Sequence, residues 1–303
     1  MVIMKHLIIN NPSYNHYLEG FARHTERLGY APASRPTLHS HVKEFLHWLE
    51  RQSLTTITTL KASHIKSHYR YLKERPSKQG GCLSSSMVTS HIYAIRLFIE
   101  YLQQEGYLTA NPMGSVIFER TGYKERDVLS REEIRLLYNT SDTLRDIALL
   151  SLLYGCGLRR TEAILLDIPD IYFRTGMLYV RRGKGSKRRE VPMSDQVRDD
   201  LKEYCYNERS MYISSGNQET TGAFLITNKG KRVSGQWMWY RIKRLVRLSG
   251  IKDKRITLHT LRHTIATHLL ENGMSVEYVR LFLGHRCLES TQRYTRITNK
   301  QTP

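Results

Sequence analysis

The stretch that decides the fold reads LHTLRHTIATHLLENGMSVEYVRLFLGH, residues 258–285. Its apolar residues recur at spacings of three, four and seven, which indicates amphipathic helix, and the pattern breaks once, at Gly273. They are Leu258, Leu261, Ile265, Leu269, Val276, Val279 and Leu283. Polar residues such as His259 and Arg262 fall between these positions, so we expect them to converge on one surface. An arginine grips phosphate, an imidazole carries a proton, and a phenol such as that of Tyr294 attacks phosphorus.

Length and charge favour a folded binder of polyanions. The 303 residues suffice for two domains, and 47 Lys and Arg against 28 Asp and Glu give a formal net charge of +19. The excess is spread along the chain instead of forming a basic arm, which favours a folded surface for nucleic acid. No apolar run approaches 18 residues, and the first residues are too short an apolar stretch for a secretory signal.

Cysteine usage indicates a reducing compartment. The four cysteines lie far apart and form no CxxC pair, so we expect reduced thiols. They are Cys82, Cys156, Cys205 and Cys287. The expected location is therefore the cytoplasm, in association with the nucleoid, without contact with a membrane.

Four apolar stripes between Tyr14 and Gln104 predict a small helical domain over residues 10–105. The loop PSKQGG, residues 76–81, separates the third helix from the fourth, and Ser84 to Ser86 offer an N-cap for the fourth. The stripes are Tyr14, Tyr17, Leu18 and Phe21; Leu38, Val42, Phe45, Leu46 and Leu49; Ile65, Tyr69 and Leu72; and Val88, Ile92, Ile95, Ile99 and Leu102.

Basic residues between these stripes are expected on the solvent face of the helical domain. They are His41, Lys43, His64, Lys66, His68, Arg70, Lys73, His91 and Arg96. Such a face is either an ordinary solvated surface or a DNA-contacting one. The same excess on several helices favours DNA contact.

A linker over residues 106–125, rich in glycine and proline signals, precedes a second domain over 126–303. That domain begins at a capping box, Ser130 to Glu133, and its next helix ends at Gly155-Cys156-Gly157. Two short strands are predicted at 177–182 and 189–193, with helices at 195–212 and 235–248 and a short apolar stretch at 223–227. The expected fold is mainly α with a small antiparallel β-sheet, in two domains.

Individual motifs leave alternatives open. Gly183-Lys184-Gly185 lacks the spacing of a phosphate loop, and a turn of this kind either reaches into a nucleic-acid groove or is solvated. His259 and His263 have the spacing of two zinc ligands on a helix, but Thr260 replaces the glutamate of a metallohydrolase and no third ligand is evident. Arg262 on the same turn indicates an anion instead.

Two further residues are equally ambiguous when taken alone. Arg159, at a helix start, is either a second phosphate clamp or a surface partner of Glu162, three residues later. Tyr294 is one of nineteen tyrosines, and by itself is either a packing residue or a nucleophile.

The joint pattern is more specific than any of its parts. In order, GLRxxE at 157–162, GKG at 183–185, HxxRH at 259–263 and LGH at 283–285, followed by Tyr294, resemble the tyrosine recombinase (phage integrase) family. The closest likeness is to its compact, Xer-like members.

The resemblance covers residues 126–296 and implies a tyrosine-recombinase catalytic domain. The helical N-terminal segment is similar, in layout and length, to the core-binding (SAM-like) domain of that family. The implied activity is site-specific DNA recombination, with integration, excision, inversion or resolution as its outcome.

Carried over residue by residue, the resemblance implies a phosphate site held by arginines. Arg159 and Arg262 hold the non-bridging oxygens of the scissile phosphate, where fixed cations neutralise the charge that grows in the transition state. Glu162 orients Arg159.

The proton carriers and the nucleophile also follow from the resemblance. Lys184 is the general acid for the leaving 5′ oxygen, His259 a proton acceptor or hydrogen-bond donor at the phosphate, and His285 a further donor. Tyr294 attacks and forms a 3′-phosphotyrosyl enzyme. Since the ester energy is conserved, the reaction needs no ATP, no metal and no other cofactor.

Double-stranded DNA carrying a core recombination site is the implied partner. Candidate DNA contacts in the second domain are Arg182, Lys187, Arg188, Arg241, Lys243 and Arg244. Strand exchange implies a homo-tetramer on DNA or a heteromer with a second recombinase, although only nine residues follow Tyr294 to dock on a neighbour. The alternatives are a catalytically inactive DNA-binding regulator of the same fold and a type IB topoisomerase-like enzyme.

Overall fold

The structure is a computed structural model that describes residues 7–77, 80–119, 127–181, 188–213 and 222–284. The chain divides into two compact units, residues 1–123 and 124–303. The assignment of residues 10–105, 106–125 and 126–303 to a DNA-binding domain, a linker and a catalytic domain stays a prediction.

Four helices form the N-terminal unit, as the apolar stripes predict. They are α1 (Pro12–Arg27), α2 (Arg35–Arg51), α3 (Ala62–Glu74) and α4 (Ser85–Gln104). The Ser84 hydroxyl accepts the Met87 N–H at 3.3 Å and caps α4. Phe21, Phe45 and Phe98 are fully buried where the stripes meet.

Three histidines predicted on the solvent face of this unit lie in its core, so that prediction was wrong. His41, His68 and His91 are at most 3% exposed. The rings of His41 and His91 stack 3.6 Å apart, and His68 meets Phe45 and Trp48 edge-on. Burial lowers their pKa values to about 4, 3 and 2, which keeps the rings neutral. A neutral imidazole is apolar enough to pack as an aromatic ring, which the hydropathy pattern does not register.

Other basic residues of that set do face solvent. Four of them are exposed, namely Lys66, Arg70, Lys73 and Arg96, whereas Lys43 and His64 are half-buried.

Seven α-helices in the described residues build most of the C-terminal unit. They are α5 (Arg131–Asn139), α6 (Leu144–Leu150), α7 (Arg160–Leu165), α8 (Asp195–Glu203), α9 (Gly235–Leu248), α10 (Leu258–Glu271) and α11 (Val276–Leu283). Helix α6 continues as a π-turn, Ser151–Gly155, and α8 continues through a π-turn and a 3₁₀ turn to Tyr212. The predicted capping box is confirmed, because Ser130 and Glu133 each accept the other's backbone N–H.

A three-stranded antiparallel sheet completes this unit. Its strands are β1 (Ile171–Tyr172), β2 (Met177–Val180) and β3 (Arg189–Pro192), in the order β1-β2-β3. Strands β2 and β3 are the two predicted ones, paired with Met177 opposite Pro192 and Val180 opposite Arg189. Two residues are too few to show a period, so β1 was not predicted. The cationic turn between β2 and β3 lies outside the described residues except for Arg188.

The core of the C-terminal unit surrounds α6 and its π-turn. Leu149, Leu152 and Leu153 are fully buried there, and α10 packs against the turn. This contact places the start of α7, the first turns of α10 and the end of α11 side by side. Within the described ranges, no helix is both long and apolar enough to cross a bilayer.

Candidate active site

Two glycines allow the chain to close around the site. Gly157 and Gly284 both have left-handed backbone, with φ of 58° and 64°. A Cβ on Gly157 would lie 2.9 Å from a methyl of Leu283, and one on Gly284 would lie 2.9 Å from Cδ of Arg189. Both positions therefore need glycine for the backbone angle and for the close approach of α11 to the loop before α7.

Arg262 lies under this junction. Its side chain is 1% exposed, and its guanidinium donates to the carbonyl oxygens of Gly157 and Leu283. His263 is also buried, so the expectation of one polar surface along α10 was wrong for these two residues. The guanidinium can be buried because backbone carbonyls and a carboxylate surround it.

Arg159 is the N-cap of α7 and reaches across to α11. Its Nη1 donates to Glu162 Oε1 at 2.7 Å and its Nη2 to the Gly284 carbonyl at 2.9 Å. The side chain remains 21% exposed. Arg159 therefore pairs with Glu162 and is still accessible to solvent, as phosphate binding requires.

Glu162 is the carboxylate at the centre of the site. Its side chain is 1% exposed, and both oxygens accept from Arg189, Nη1 to Oε1 at 2.9 Å and Nη2 to Oε2 at 2.8 Å. Burial raises the pKa of Glu162, but hydrogen bonds and charge from Arg189, followed by bonds from Arg159, outweigh it and lower the pKa to about 2. Glu162 therefore stays ionised.

Sequence reasoning missed Arg189. Strand alternation could have found it, because Arg189 stands two residues before the fully buried Val191 and shares its face of β3. An arginine on the inward face of a short strand calls for a buried partner, and Glu162 is that partner.

His259 stands at the mouth of the site, exposed on the first turn of α10. It lines one cleft together with Arg159, so the structure brings these two predicted residues together. The remaining lining residues are Leu158, Arg160, Gly235, Gln236, Trp239, Thr257 and Leu258.

His259 and His263 meet edge-on, with ring centroids 4.2 Å apart. Over the described ranges, no three His, Cys, Asp or Glu side chains gather in a way that could hold a metal ion. The zinc alternative thus has no third ligand among those residues.

Five predicted residues lie outside the described ranges. They are Lys184, His285 and Tyr294 of the catalytic set, and Arg182 and Lys187 of the DNA-contact set. His285 directly follows Gly284, the last described residue. Arg188 is exposed immediately before β3.

The three DNA-contact candidates on α9 differ in their surroundings. Arg241 pairs with Asp146, which is fully buried, and Arg244 grips Asp142 through two bonds of 3.0 and 2.6 Å. Lys243 is exposed and lies over the Trp239 ring, 4.9 Å from its centroid. The charge of Lys243 alone of the three is not matched by a carboxylate in the described residues.

Comparison with known proteins places this arrangement in a family. The model of the phage integrase family matches residues 127–301. The chain is 34% identical to tyrosine recombinase XerD of Corynebacterium glutamicum over 265 residues, which cover 85% of each chain. It is 37% identical to tyrosine recombinase XerD of Oceanobacillus iheyensis over 219 residues, 71% of this chain and 72% of that one. The chain therefore belongs to the phage integrase family and is a tyrosine recombinase.

Solved structures show the same fold. The Tn1549 transposon integrase in complex with circular intermediate DNA superposes with a TM-score of 0.73 at 18% identity, over 95% of this chain and 99% of that one. The XerH site-specific recombinase bound to palindromic difH substrate gives 0.72 at 17% identity, over 97% and 88%. The mainly helical, two-domain fold expected from the sequence is confirmed.

Proposed function

We propose that this protein recombines duplex DNA at a specific site by cleaving and rejoining strands through a 3′-phosphotyrosyl intermediate. The observation that carries the proposal is the cleft that Arg159 and His259 share, with Arg159 bonded to the buried Glu162 and Arg262 buried on the same helix as His259. A guanidinium group and an imidazole that line one cleft, with the second guanidinium buried against Gly157, suit a phosphodiester.

The arginines supply the grip on the scissile phosphate. A guanidinium has five N–H donors, so Arg159 can hold Glu162 and the Gly284 carbonyl and still donate to a phosphate oxygen. Arg262 adds positive charge from a site almost closed to water, where charge acts more strongly than at a surface. Both arginines are fixed before the reaction starts, which favours the transition state.

Tyr294 supplies the nucleophile and Lys184 the leaving-group proton. The phenolic oxygen of Tyr294 bonds to phosphorus, the bond to the 5′ oxygen breaks, and Lys184 gives that oxygen a proton. His259 accepts or shares a proton at the phosphate, and His285 donates a further hydrogen bond. One phosphodiester replaces another, so the strand rejoins without ATP.

The two units together hold the DNA, the N-terminal one as a core-binding domain. Its exposed Lys66, Arg70 and Arg96 contribute to the charge of +19. Phosphate contacts dominate such binding, so affinity falls steeply with salt. Strand exchange joins two duplexes, which calls for four protomers on DNA, either identical or shared with a second recombinase. The protein acts in the cytoplasm, on the nucleoid.

A nicked suicide duplex tests the chemistry. Its site comes from DNA flanking the gene, and wild type, Tyr294→Phe and Tyr278→Phe are compared in EDTA on a denaturing gel. Tyr278, 67% exposed on α11, is the matched control for loss of a phenol. We expect a covalent protein–DNA band with wild type and Tyr278→Phe and none with Tyr294→Phe. A band from Tyr294→Phe would move the nucleophile elsewhere.

The same experiment separates the rival functions. A regulator that has lost catalysis binds the duplex and forms no band with any variant. A type IB topoisomerase-like enzyme forms the band on many sequences and relaxes supercoiled plasmid that lacks the site. We expect neither result.

A further inference from the structure

Three arginines hold the last three backbone carbonyls of α11 and its cap. Arg189 Nε donates to Phe282 at 3.1 Å, Arg262 donates to Leu283, and Arg159 Nη2 donates to Gly284 at 2.9 Å. Carbonyls at a helix C-terminus lack intrahelical partners and carry the negative end of the helix dipole. Cationic donors therefore fix this end of α11 strongly.

The same three arginines surround Glu162. Arg189 grips its carboxylate with both Nη atoms, Arg159 donates to it at 2.7 Å, and Arg262 Nη1 lies 3.8 Å away. Arg189 is thus bound to Glu162 on one side and to α11 on the other. It does not line the cleft that holds Arg159 and His259.

We infer that Arg189 is a positioning residue for recombination, which neutralises Glu162 and fixes the end of α11 so that Arg159 remains available to the scissile phosphate and the charge of Arg262 is not cancelled by Glu162. The inference rests on the proposed function.

Charge explains why the site needs a third arginine. Three guanidinium groups and one carboxylate carry a net charge of +2. A phosphodiester carries one negative charge, and attack by a phenolate raises it to two, so these four side chains match the transition state. Without Arg189 the net charge is +1, and the buried Glu162 carboxylate draws Arg159 and Arg262 toward itself and away from the phosphate.

The contacts of Arg189 allow its charge to be tested separately from its role in positioning Glu162 and α11. Cδ of Arg189 fills the space beside Gly284, and its planar fork bonds Glu162 through two parallel N–H groups while Nε holds Phe282. A lysine at this position keeps the charge and loses the fork. Arg189→Lys should therefore recover part of the activity that Arg189→Ala loses.

Single-turnover cleavage of the suicide duplex tests the inference, with DNA affinity measured alongside. Arg189→Ala should slow covalent-complex formation about 100-fold, the typical effect of misplaced reacting groups. Its DNA dissociation constant should stay within about threefold of wild type, because binding is spread over many phosphate contacts. Arg198→Ala is the matched control, since Arg198 pairs only with Asp195 and Asp199 on the surface of α8 in the described structure, and it should cleave at the wild-type rate.

Two readouts distinguish positioning from packing. The conservative variant Arg189→Lys, which keeps the positive charge beside Glu162, should cleave faster than Arg189→Ala. The double variant Arg189→Ala/Glu162→Gln should recover about tenfold, since removing the carboxylate releases Arg159 and Arg262 and returns the net charge of the remaining side chains to +2.

The outcomes separate this inference from the proposed function. If wild type forms no covalent complex, the proposed function fails. If wild type cleaves and Arg189→Ala cleaves equally fast, the inference fails alone. It also fails if Arg189→Ala is slow but neither Glu162→Gln nor Arg189→Lys restores any rate, because Arg189 would then only support packing.

Discussion

Each unit of this protein buries a glutamate that pairs with arginine, and the two pairs differ in their surroundings. In the N-terminal unit, Glu44 and Arg75 are 2% and 6% exposed and bond at 2.5 and 3.0 Å. In the C-terminal unit, Glu162 meets three arginines, of which Arg159 also borders a cleft. The first glutamate has one cation and the second has three.

The remaining neighbours complete the contrast. The neutral His91 lies next to Glu44, with its Nε2 3.8 Å from the carboxylate, and burial raises the pKa of Glu44 in spite of Arg75. At Glu162 the arginines outweigh burial and lower the pKa to about 2. A balanced buried pair fixes a core, whereas a surplus of positive charge, part of it on Arg159 in the cleft, is what the proposed binding of a phosphate requires. The excess of arginines over carboxylates, more than burial, distinguishes the cluster around Glu162 from the Glu44–Arg75 pair.

The largest effect should come from breaking the balanced pair. Arg75→Ala leaves the Glu44 carboxylate buried without its cation, which costs about 3–5 kcal/mol of folding stability. Urea unfolding followed by circular dichroism measures the loss. The double variant Arg75→Ala/Glu44→Leu should regain most of it, because no buried charge is left. A loss below about 1 kcal/mol for Arg75→Ala would show that water reaches Glu44.

Removing one of the arginines around Glu162 should slow DNA cleavage and leave folding stability largely unchanged. Arg159→Ala should slow cleavage of the suicide duplex by about 10²–10³, the effect of losing one fixed donor to a transition-state oxygen. The folded fraction of Arg75→Ala, at a temperature where it is folded, should cleave at the wild-type rate. Equal slowing in both variants would contradict the distinction between the two clusters.

Part of the candidate site was predicted from the sequence, where the residue types and the helical period both pointed to it. The order and spacing of Arg159, Glu162, His259 and Arg262 predicted a phosphate site, and apolar periods predicted the helices that carry it. Burial was not readable, because an arginine among helix carbonyls and an arginine in solvent have the same letter. Strand alternation could have placed Arg189 on the inward face of β3, but its partners could not be identified, since they lie 27 and 93 residues away along the chain.

The buried histidines were misplaced for a related reason. Hydropathy patterns count His41, His68 and His91 as polar, whereas the neutral ring packs like an aromatic one when stacking partners surround it. Their surroundings come from three different helices, so no local window contains the information.

Acid should therefore destabilise the buried cluster of His41, His68 and His91 before it destabilises the cluster around Glu162. Burial lowers the pKa values of His41, His68 and His91, so the unfolded chain binds protons at a higher pH than the folded chain. The three rings contribute fully to folding stability above about pH 6.5. This contribution is lost as the pH falls toward 4, by about 1.4 kcal/mol per pH unit for each ring. Glu44 opposes this in part, since its raised pKa lets the folded state take a proton first. The Glu162 pKa of about 2 keeps that carboxylate charged over the same range.

Hydrogen exchange from pH 7 to 5, corrected for the intrinsic pH dependence of exchange, locates the effect. Peptides from α2 and α4 should lose protection while those from α9, which contains no histidine, keep it. His68→Phe, which has no proton to bind, should reduce the pH dependence by about one third. Equal loss in α9 would mean that other groups control acid stability.

The smallest expected effect is on DNA binding by α9, where one cation is paired with a carboxylate and another is not. Lys243 is exposed and has no carboxylate partner in the described part of the chain, whereas Arg244 is held by Asp142, whose pKa its guanidinium lowers to about 2. Lys243→Ala should weaken DNA binding a few-fold and reduce the slope of log affinity against log salt by about one. The charge-neutral double variant Asp142→Asn/Arg244→Gln removes the pair without changing the net charge, so its slope should match wild type. If the double variant weakens binding more than Lys243→Ala does, then Arg244 leaves Asp142 to contact a DNA phosphate. In that case an arginine in a surface ion pair can contribute positive charge to DNA binding, as the arginines around Glu162 are proposed to do.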